Sequence, residues 1–461
     1  MSTLEEGRGG TPAGLFADLY ELTMLSAYAA RRMSETAVFS LFVRALPESR
    51  NFLVACGLDD LLREIEDFRF GPDDIAYLRS LGLFPESLFD DLRSFRFTGD
   101  VFAVAEGTPI FPNEPILEIV APIGQAQVLE TLVLNQIGLQ TILASKAARI
   151  VAAAAGRPVV DFGARRAQGI DAALKGARAF AIAGVSGTSL LAAGARYQIP
   201  VTGTMAHSFV QTFDSELDAF AAFAKLHPRT VLLVDTYDTL QGVRNTIELA
   251  RRIGDDCRLT GIRLDSGDLD ALSRAARAML DEAGLRQLKI VASGGLTEAR
   301  IAALVQAGAP IDVFGVGTDM SVSADAPCLD IAYKLTEFAG SGRMKLSTRK
   351  ETMPGRKQIF RQYAEGVAVR DIIGRSEETY DGAPLLEPAM RGGERLMAQR
   401  PDVSALRVRT AVMIASMPPK LRSLAKPGQA YPVAASDRLR AETVALRARL
   451  TAGAKAGNPQ T

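Results

Sequence analysis

The side chain best suited to reactivity near neutral pH in this sequence is His207. It stands in GTMAHS (203–208), directly after a strand-like run and beside small residues that leave it accessible. An imidazole in that setting can act as base, metal ligand or nucleophile. The chain has 2 histidines; the other, His227, precedes a proline in a loop-like stretch and reads as a packing or surface residue. Neither lies at metal-ligand spacing from the 3 cysteines, Cys56, Cys257 and Cys328, so no zinc site is expected. In GIRLDSGDL (261–269), Arg263 and Asp265 flank Leu264, and the two-residue period of a strand sends both to one side. Arginine recognises a carboxylate or a phosphate with a fork of donors. Asp265 and Asp268 offer oxygens to ribose hydroxyls or to Mg2+.

Glycine-bearing turns supply a second kind of chemistry. They are GVSGTS (184–189, with Ser186), SGG (Ser293, Gly294, Gly295) and GVGT (315–318, with Gly317 and Thr318). Glycine lets backbone N–H groups approach a phosphate closely, and a helix starting just beyond adds a favourable dipole. One such turn is ordinary, but two after successive late strands form a recurring phosphate-site arrangement of α/β barrels. In DFGARRAQG (161–169), Phe162 offers a face for stacking on a planar ring, and Arg165 and Arg166 offer charge to phosphates.

A scaffold must bring these residues together. After Gly156, seven runs end in Asp, Gly, Ser or Thr, and most lead into a helical stretch: RPVVDFG, RAFAIAGVSG, QIPVTGTMAHS, TVLLVDTYD, TGIRLDSGD, LKIVASGG and IDVFGVGTD. That pattern favours an irregular parallel α/β barrel over an open doubly wound sheet, because every run ends in polar chemistry and no single glycine-rich turn dominates. In a barrel the C-terminal strand ends share one mouth, so Asp161, Ser186, His207, Asp235, Asp265, Ser293 and Thr318 are expected to converge.

The flanks read differently. Asp18 to Met33 has helical spacing, AVFSLFVRAL and FRFTGDVFAVAEG are strand-like, PIFPNEPILEIVAP suits short edge strands and turns, and a long helix runs from Ala126 to about Ala155. Beyond Leu335 come the strand-like RKQIFRQY and EPAMRGGERL, a charged helix from Asp437 to Leu450 and a tail, AGAKAGNPQT, that should fray. We therefore expect an N-terminal α+β domain (1–140), a barrel (141–335) and a C-terminal segment (336–461) whose strands pack with the first domain.

Composition bounds the function. A chain of 461 residues with 48% hydrophobic and 23% charged residues is a multi-domain globular protein. Its 53 basic and 53 acidic residues cancel, which leaves no global field for nucleic acid or an anionic membrane. No uncharged apolar run reaches the roughly 18 residues of a membrane span. The N-terminal MSTLEEGRGGTP reads as a short flexible lead rather than a secretory signal. Three scattered cysteines argue against a disulfide framework and fit a reducing, cytoplasmic compartment.

Taken in order, DLYELTM, RNFLVACGL, EGTPIFPNEP, LETLVLNQIGLQT, DFGARRAQG, GTMAHSF, VDTYDT, RLDSGDL, VASGGL, GVGT, MKLS, PGRKQIFR and MRGG resemble the nicotinate phosphoribosyltransferase family, of type II phosphoribosyltransferase fold. The resemblance runs from about Leu15 to beyond Arg395. It implies that nicotinate and phosphoribosyl diphosphate give nicotinate mononucleotide and diphosphate in NAD salvage, with ATP hydrolysis coupled through a phosphohistidine at His207. Arg263 and Thr204 match residues that contact nicotinate. Tyr20 matches one that reaches across from a neighbouring subunit, which implies a homodimer with shared sites. Phe162 matches the ring-stacking aromatic of the related nicotinamide enzyme. Arg165, Asp235, Asp265, Gly294, Gly295, Gly317 and Thr318 match positions lining the phosphoribosyl site.

Mg2+ is implied on the diphosphate, with Asp265 a candidate ligand, and Asp235 is a candidate to orient the imidazole. Two departures stand out: STRKETMPG follows MKLS where a glycine-bearing loop is expected, and Asn113 stands where glycine is commoner. The sibling reactions on nicotinamide or quinolinate, and a non-catalytic nucleotide-binding relative, are the alternatives.

Overall fold

The computed structural model describes residues 13–346, 352–397 and 401–456. The N-terminal lead (1–12), the start of the STRKETMPG loop (347–351) and the last residues (457–461) lie outside them. Two sheet systems share one continuous hydrophobic core.

The first system is antiparallel. Its seven strands run in the order Ser341–Gly342, Asp330–Phe338, Thr36–Ala45, Leu117–Pro122, Asp100–Val104, Leu386–Arg391, Glu394–Arg395, so N-terminal and C-terminal segments interleave in one sheet. Every residue from Ala37 to Val43 is buried, as expected of a central strand covered on both faces. A four-stranded sheet, Ala383–Pro384, Lys357–Ala364, Val367–Arg375, Val433–Ala435, adjoins it. Buried polar contacts stitch the two ends of the chain: the Ser40 hydroxyl donates to Glu118 at 2.7 Å, and Lys357 forms an ion pair with the same carboxylate at 3.0 Å. Asn113 adopts a left-handed φ of 66°, which explains the family's glycine there; asparagine tolerates that region better than most residues.

The second system is a curled parallel sheet of six strands, in the order Gly187–Thr188, Val159–Asp161, Val313–Val316, Lys289–Ala292, Gly261–Leu264, Val231–Leu233. Six of the seven expected runs contribute a strand. The seventh, around Val201, makes a single parallel bridge to Thr188. The barrel is not closed by a backbone ladder at this point: the Thr204 hydroxyl donates to the carbonyl of Val231 across the seam. One run departs from the expected strand. RAFAIAG lies mostly in the helix Ile170–Ile182, because it is alanine-rich with no β-branched run to resist helix formation, and only Gly187–Thr188 is extended.

The long helix is present as Ile123–Gln127 and Glu130–Ala153. It is apolar enough by composition to cross a membrane, yet most of it is buried inside the protein, between the antiparallel sheet and the barrel helices. The C-terminal helix spans Asp437–Ala456, further than expected, since alanine and lysine carry it into the first half of AGAKAGNPQT.

Candidate functional site

The C-terminal ends of the parallel strands open into a cavity of about 660 Å³. It is lined by Phe162, Thr204, His207, Arg263, Asp265 and Ser293, and by the glycine turns at Gly294–Gly295 and Gly317. A second space of about 280 Å³ continues into the barrel beneath Phe162, Gly203, Thr204 and Arg263. Its walls are largely apolar, with Val160, Val231, Val291 and Val313 pointing inward.

Where the two spaces meet there is a slot suited to a flat anion. Phe162 donates its backbone N–H to Val316 at 2.8 Å, which fixes the ring beside Gly315. A Cβ at Gly315 would sit 2.5 Å from that ring, so glycine makes room for it. The Arg263 guanidinium lies 5.9 Å from the ring centroid. It makes no hydrogen bond or ion pair with the described residues, and its Nε is sealed from solvent without a partner. Burial pulls the Arg263 pKa down, partly offset by Asp265 and Asp235. A cation placed this way gains from an incoming carboxylate at little further desolvation cost.

The opposite wall is polar. Arg165 and Arg166 lie on a short 3-10 turn, Ala164–Arg166, and both line the cavity. Gly294 has a φ of +82°, and a Cβ there would lie 1.7 Å from the carbonyl of Asp265, so only glycine allows the two loops to approach. The Ser293 hydroxyl donates to Asp265 Oδ1 at 2.5 Å. Thr318 opens the short helix Thr318–Ser321, with Gly317 as its N-cap. These groups form a cradle of cations, hydroxyls and backbone N–H groups suited to phosphate oxygens. Among the described residues no group of three or more His, Cys, Asp or Glu is arranged to hold a metal.

His207 begins the short helix His207–Val210 and faces the cavity. Its Nδ1 lies 3.2 Å from the Thr236 hydroxyl. The expected pairing with Asp235 is not the one formed. Asp235 Oδ2 instead accepts the backbone N–H of Asp265 at 2.9 Å and the Ser266 hydroxyl at 2.7 Å, which ties two strand-end loops together. Ser186 also falls away from the mouth. Because the strand is only Gly187–Thr188, Ser186 sits at its start, and Ser189 at its end lines the cavity instead. Asp161 points inward at the strand end but is committed to the Gly163 N–H and the Thr188 hydroxyl, both at 2.8 Å, and burial raises its pKa. Tyr20, 43% exposed on the helix Leu19–Ala30, does not line the cavity of its own chain. His227 caps the end of the helix Glu216–Leu226 with its ring 4.7 Å from that of Phe223, a packing role.

Two contributors escaped the sequence reading. Thr236 carries no signal beyond following Asp235. Asp319, next to Thr318, lines the cavity and is held from below by the buried Lys146 at 2.7 Å, which also binds Glu298 at 2.5 Å and Asp325 at 2.9 Å. A lysine in a long apolar helix was the available hint.

Comparison with known proteins adds an independent line. Residues 15–138 match the family model described as the nicotinate phosphoribosyltransferase N-terminal domain, and residues 158–359 match the nicotinate phosphoribosyltransferase family model. A nicotinate phosphoribosyltransferase of Mycobacterium tuberculosis is 56% identical over 444 residues, 96% of each chain. One from Bacillus subtilis is 43% identical over 366 residues, 78% of this chain and 75% of the relative. The crystal structure of human nicotinic acid phosphoribosyltransferase superimposes with a TM-score of 0.82 at 28% identity, over 93% of this chain and 99% of that one. Nicotinate-nucleotide pyrophosphorylase from Pyrococcus furiosus shares the fold, with a TM-score of 0.72 at 23% identity, over 88% and 96%.

Proposed function

The chain belongs to the nicotinate phosphoribosyltransferase family, and from that premise we propose how its barrel mouth carries out the transfer of a phosphoribosyl group to nicotinate. The observation that carries the proposal is the unpartnered Arg263 beside the Phe162 ring. The pyridine ring stacks on Phe162, its carboxylate takes the Arg263 fork, and Thr204 borders the slot. Phosphoribosyl diphosphate lies along Arg165, Gly294, Gly295, Gly317 and Thr318, with Asp265 towards the ribose. Departure of diphosphate leaves positive charge at the anomeric carbon, and the pyridine nitrogen attacks there. No protein nucleophile is required for this step. What the protein contributes is alignment and a fixed set of charges.

Mg2+ fits this arrangement as a substrate-held ion. It takes one or two protein carboxylates and otherwise phosphate and water oxygens, and Asp265 on the cavity wall offers one such carboxylate. When bound it stabilises charge on the leaving diphosphate.

His207 serves a separate ATP step. Its nitrogen takes the γ-phosphoryl group, ADP leaves, and water later releases phosphate from the phosphohistidine. Thr236 at Nδ1 leaves Nε2 as the nitrogen open to that transfer. Tyr20, with Phe16 and Leu19 also exposed beside it, supports a homodimer in which this helix completes a partner's site. The free cysteines fit a cytoplasmic setting.

The test is product formation from nicotinate, nicotinamide or quinolinate with phosphoribosyl diphosphate and Mg2+, with and without ATP. Nicotinate mononucleotide alone, increased by ATP, is the expected result. His207→Ala should keep weak transfer and lose the ATP effect; ATP stimulation persisting in that variant would sink the phosphohistidine role.

A further inference from the structure

We infer that Arg300 is a positioning residue for the phosphoribosyl site, tying the Gly294–Gly295 turn to the neighbouring Gly267 loop so that the turn's backbone N–H groups face the substrate; this rests on the assignment of Gly294 and Gly295 to that site. The helix Glu298–Gln306 follows the SGG turn, with Thr297 as N-cap. Arg300, in its first turn, folds back over the loop that leads into it. One guanidinium nitrogen, Nη1, donates to the Gly294 carbonyl at 3.2 Å and the Gly295 carbonyl at 3.4 Å. The other, Nη2, reaches the Gly267 carbonyl at 3.3 Å, in the loop after the neighbouring strand. One side chain therefore grips three carbonyls on two loops. No carboxylate pairs with it among the described residues.

The consequence follows from peptide geometry. In a trans peptide the C=O and the next N–H point in opposite directions, and no cis bond occurs among the described residues. Fixing the carbonyls of Gly294 and Gly295 therefore fixes the N–H groups of Gly295 and Leu296 on the far side. Both residues line the cavity, and neither N–H has an acceptor among the described residues. Fixing the Gly267 carbonyl does the same for the N–H of Asp268. A guanidinium on the carbonyl side also polarises each peptide, which strengthens the opposing donor.

These loops need an external anchor. Gly294, Gly295 and Gly267 all have left-handed φ values, +82°, +57° and +78°. Glycine is required at Gly294 by the close approach of Asp265, but it brings the greatest backbone freedom of any residue. Two successive glycines have no side chains with which to hold their own orientation. Arg300 supplies from the next helix what they lack. It touches carbonyls on the far side of the loops, so it acts through the backbone and contacts no reacting atom.

The experiment compares Arg300→Leu, Arg300→Ala and Arg300→Lys with wild type and with Arg165→Ala, recording KM for each substrate, kcat and Tm. Arg300→Leu should raise the KM for phosphoribosyl diphosphate roughly tenfold, the effect of losing one well-made charge-assisted contact, and leave the KM for nicotinate unchanged. Arg300→Lys retains the charge but cannot span three carbonyls, so its KM should stay near that of the leucine variant. Guanidinium ion added to Arg300→Ala should recover part of the loss. Full recovery in Arg300→Lys would overturn orientation in favour of simple charge. An equal rise in both KM values, tracking a fall in Tm, would reduce Arg300 to a structural residue. If Arg165→Ala raises the KM for phosphoribosyl diphosphate and Arg300→Leu does not, the positioning role fails and the site stands. If neither changes it, the site assignment itself fails.

Discussion

Arg361 in the four-stranded sheet is fully buried and Arg263 in the barrel is largely so, and their surroundings differ in one respect. Arg361 grips Asp371 through Nε at 2.9 Å and Nη2 at 2.6 Å, adds the Pro109 carbonyl at 2.9 Å, and lies over the stacked rings of Phe111 and Tyr431. The Tyr431 hydroxyl completes the set, donating to Asp371 at 2.8 Å. Arg178 is treated alike, with a two-point grip on Glu106 at 2.8 and 2.6 Å. Arg263 has an aromatic neighbour but no bonded acid. A scaffold arginine brings its counter-ion within the chain, whereas the barrel arginine waits for one. The cost of the second arrangement is a desolvated cation in the empty protein, and binding the right anion removes that cost.

The largest effect should come from breaking the satisfied pair. Asp371→Ala takes from Arg361 its bonded carboxylate, leaving only the Pro109 carbonyl and the neighbouring buried Glu114 carboxyl, and should lower stability by about 3–5 kcal/mol, read from the denaturant midpoint. A loss near zero would mean that water reaches the cluster and that the contrast is false. Next comes Arg263→Leu. It should raise the KM for nicotinate roughly tenfold to a hundredfold, equivalent to losing roughly 1.5–3 kcal/mol, without lowering Tm, since the native protein gives the arginine no partner to lose. A large drop in Tm would place Arg263 with the scaffold arginines.

The smallest effect concerns Glu21, a scaffold acid to which no cation pairs among the described residues. Thr131 donates to it twice, once from its backbone N–H at 3.0 Å, yet Oε2 is buried and unpartnered. Burial pushes its pKa from 4.5 up to about 7. The folded state therefore keeps its proton while the unfolded chain releases it. The associated stability is whole below pH 4.5, is lost as pH rises towards 7, and stays lost above. Glu21→Gln should remove that decline and, above pH 7, exceed wild type in Tm by on the order of a degree or two. A Tm difference that does not vary with pH would refute the raised pKa.

The sequence was most legible where residue type dictates conformation. The runs TGIRLD, LKIVAS and IDVFGV form strands and deliver Asp265, Ser293 and Thr318 to one mouth, and the strand period placed Arg263 and Asp265 together. It was least legible where two geometries compete for one group. Asp235 had the right type and place to reach His207, but the backbone N–H of Asp265 and the Ser266 hydroxyl took its carboxylate. RAFAIAG was apolar enough for a strand, but without β-branching it became helix, which moved the strand end from Ser186 to Ser189. Arg300 looks like any surface arginine in the first turn of a helix; its role exists only once the Gly267 loop is folded beside it.

The seam between Val201 and Val231 has a mechanical meaning. Six strands are locked edge to edge by backbone ladders, while the last gap is bridged from Thr204, which also borders the slot proposed for nicotinate. A split ring spreads more easily than a closed one, because its two lips can part by releasing a side-chain bond while every ladder stays intact. The wall beside the proposed pyridine slot is thus the part of the circumference that no backbone ladder closes. Width there can adjust to the thickness of a stacked ring while the strands leading to the SGG and GVGT turns, two and three places in from the Val231 edge, keep their spacing.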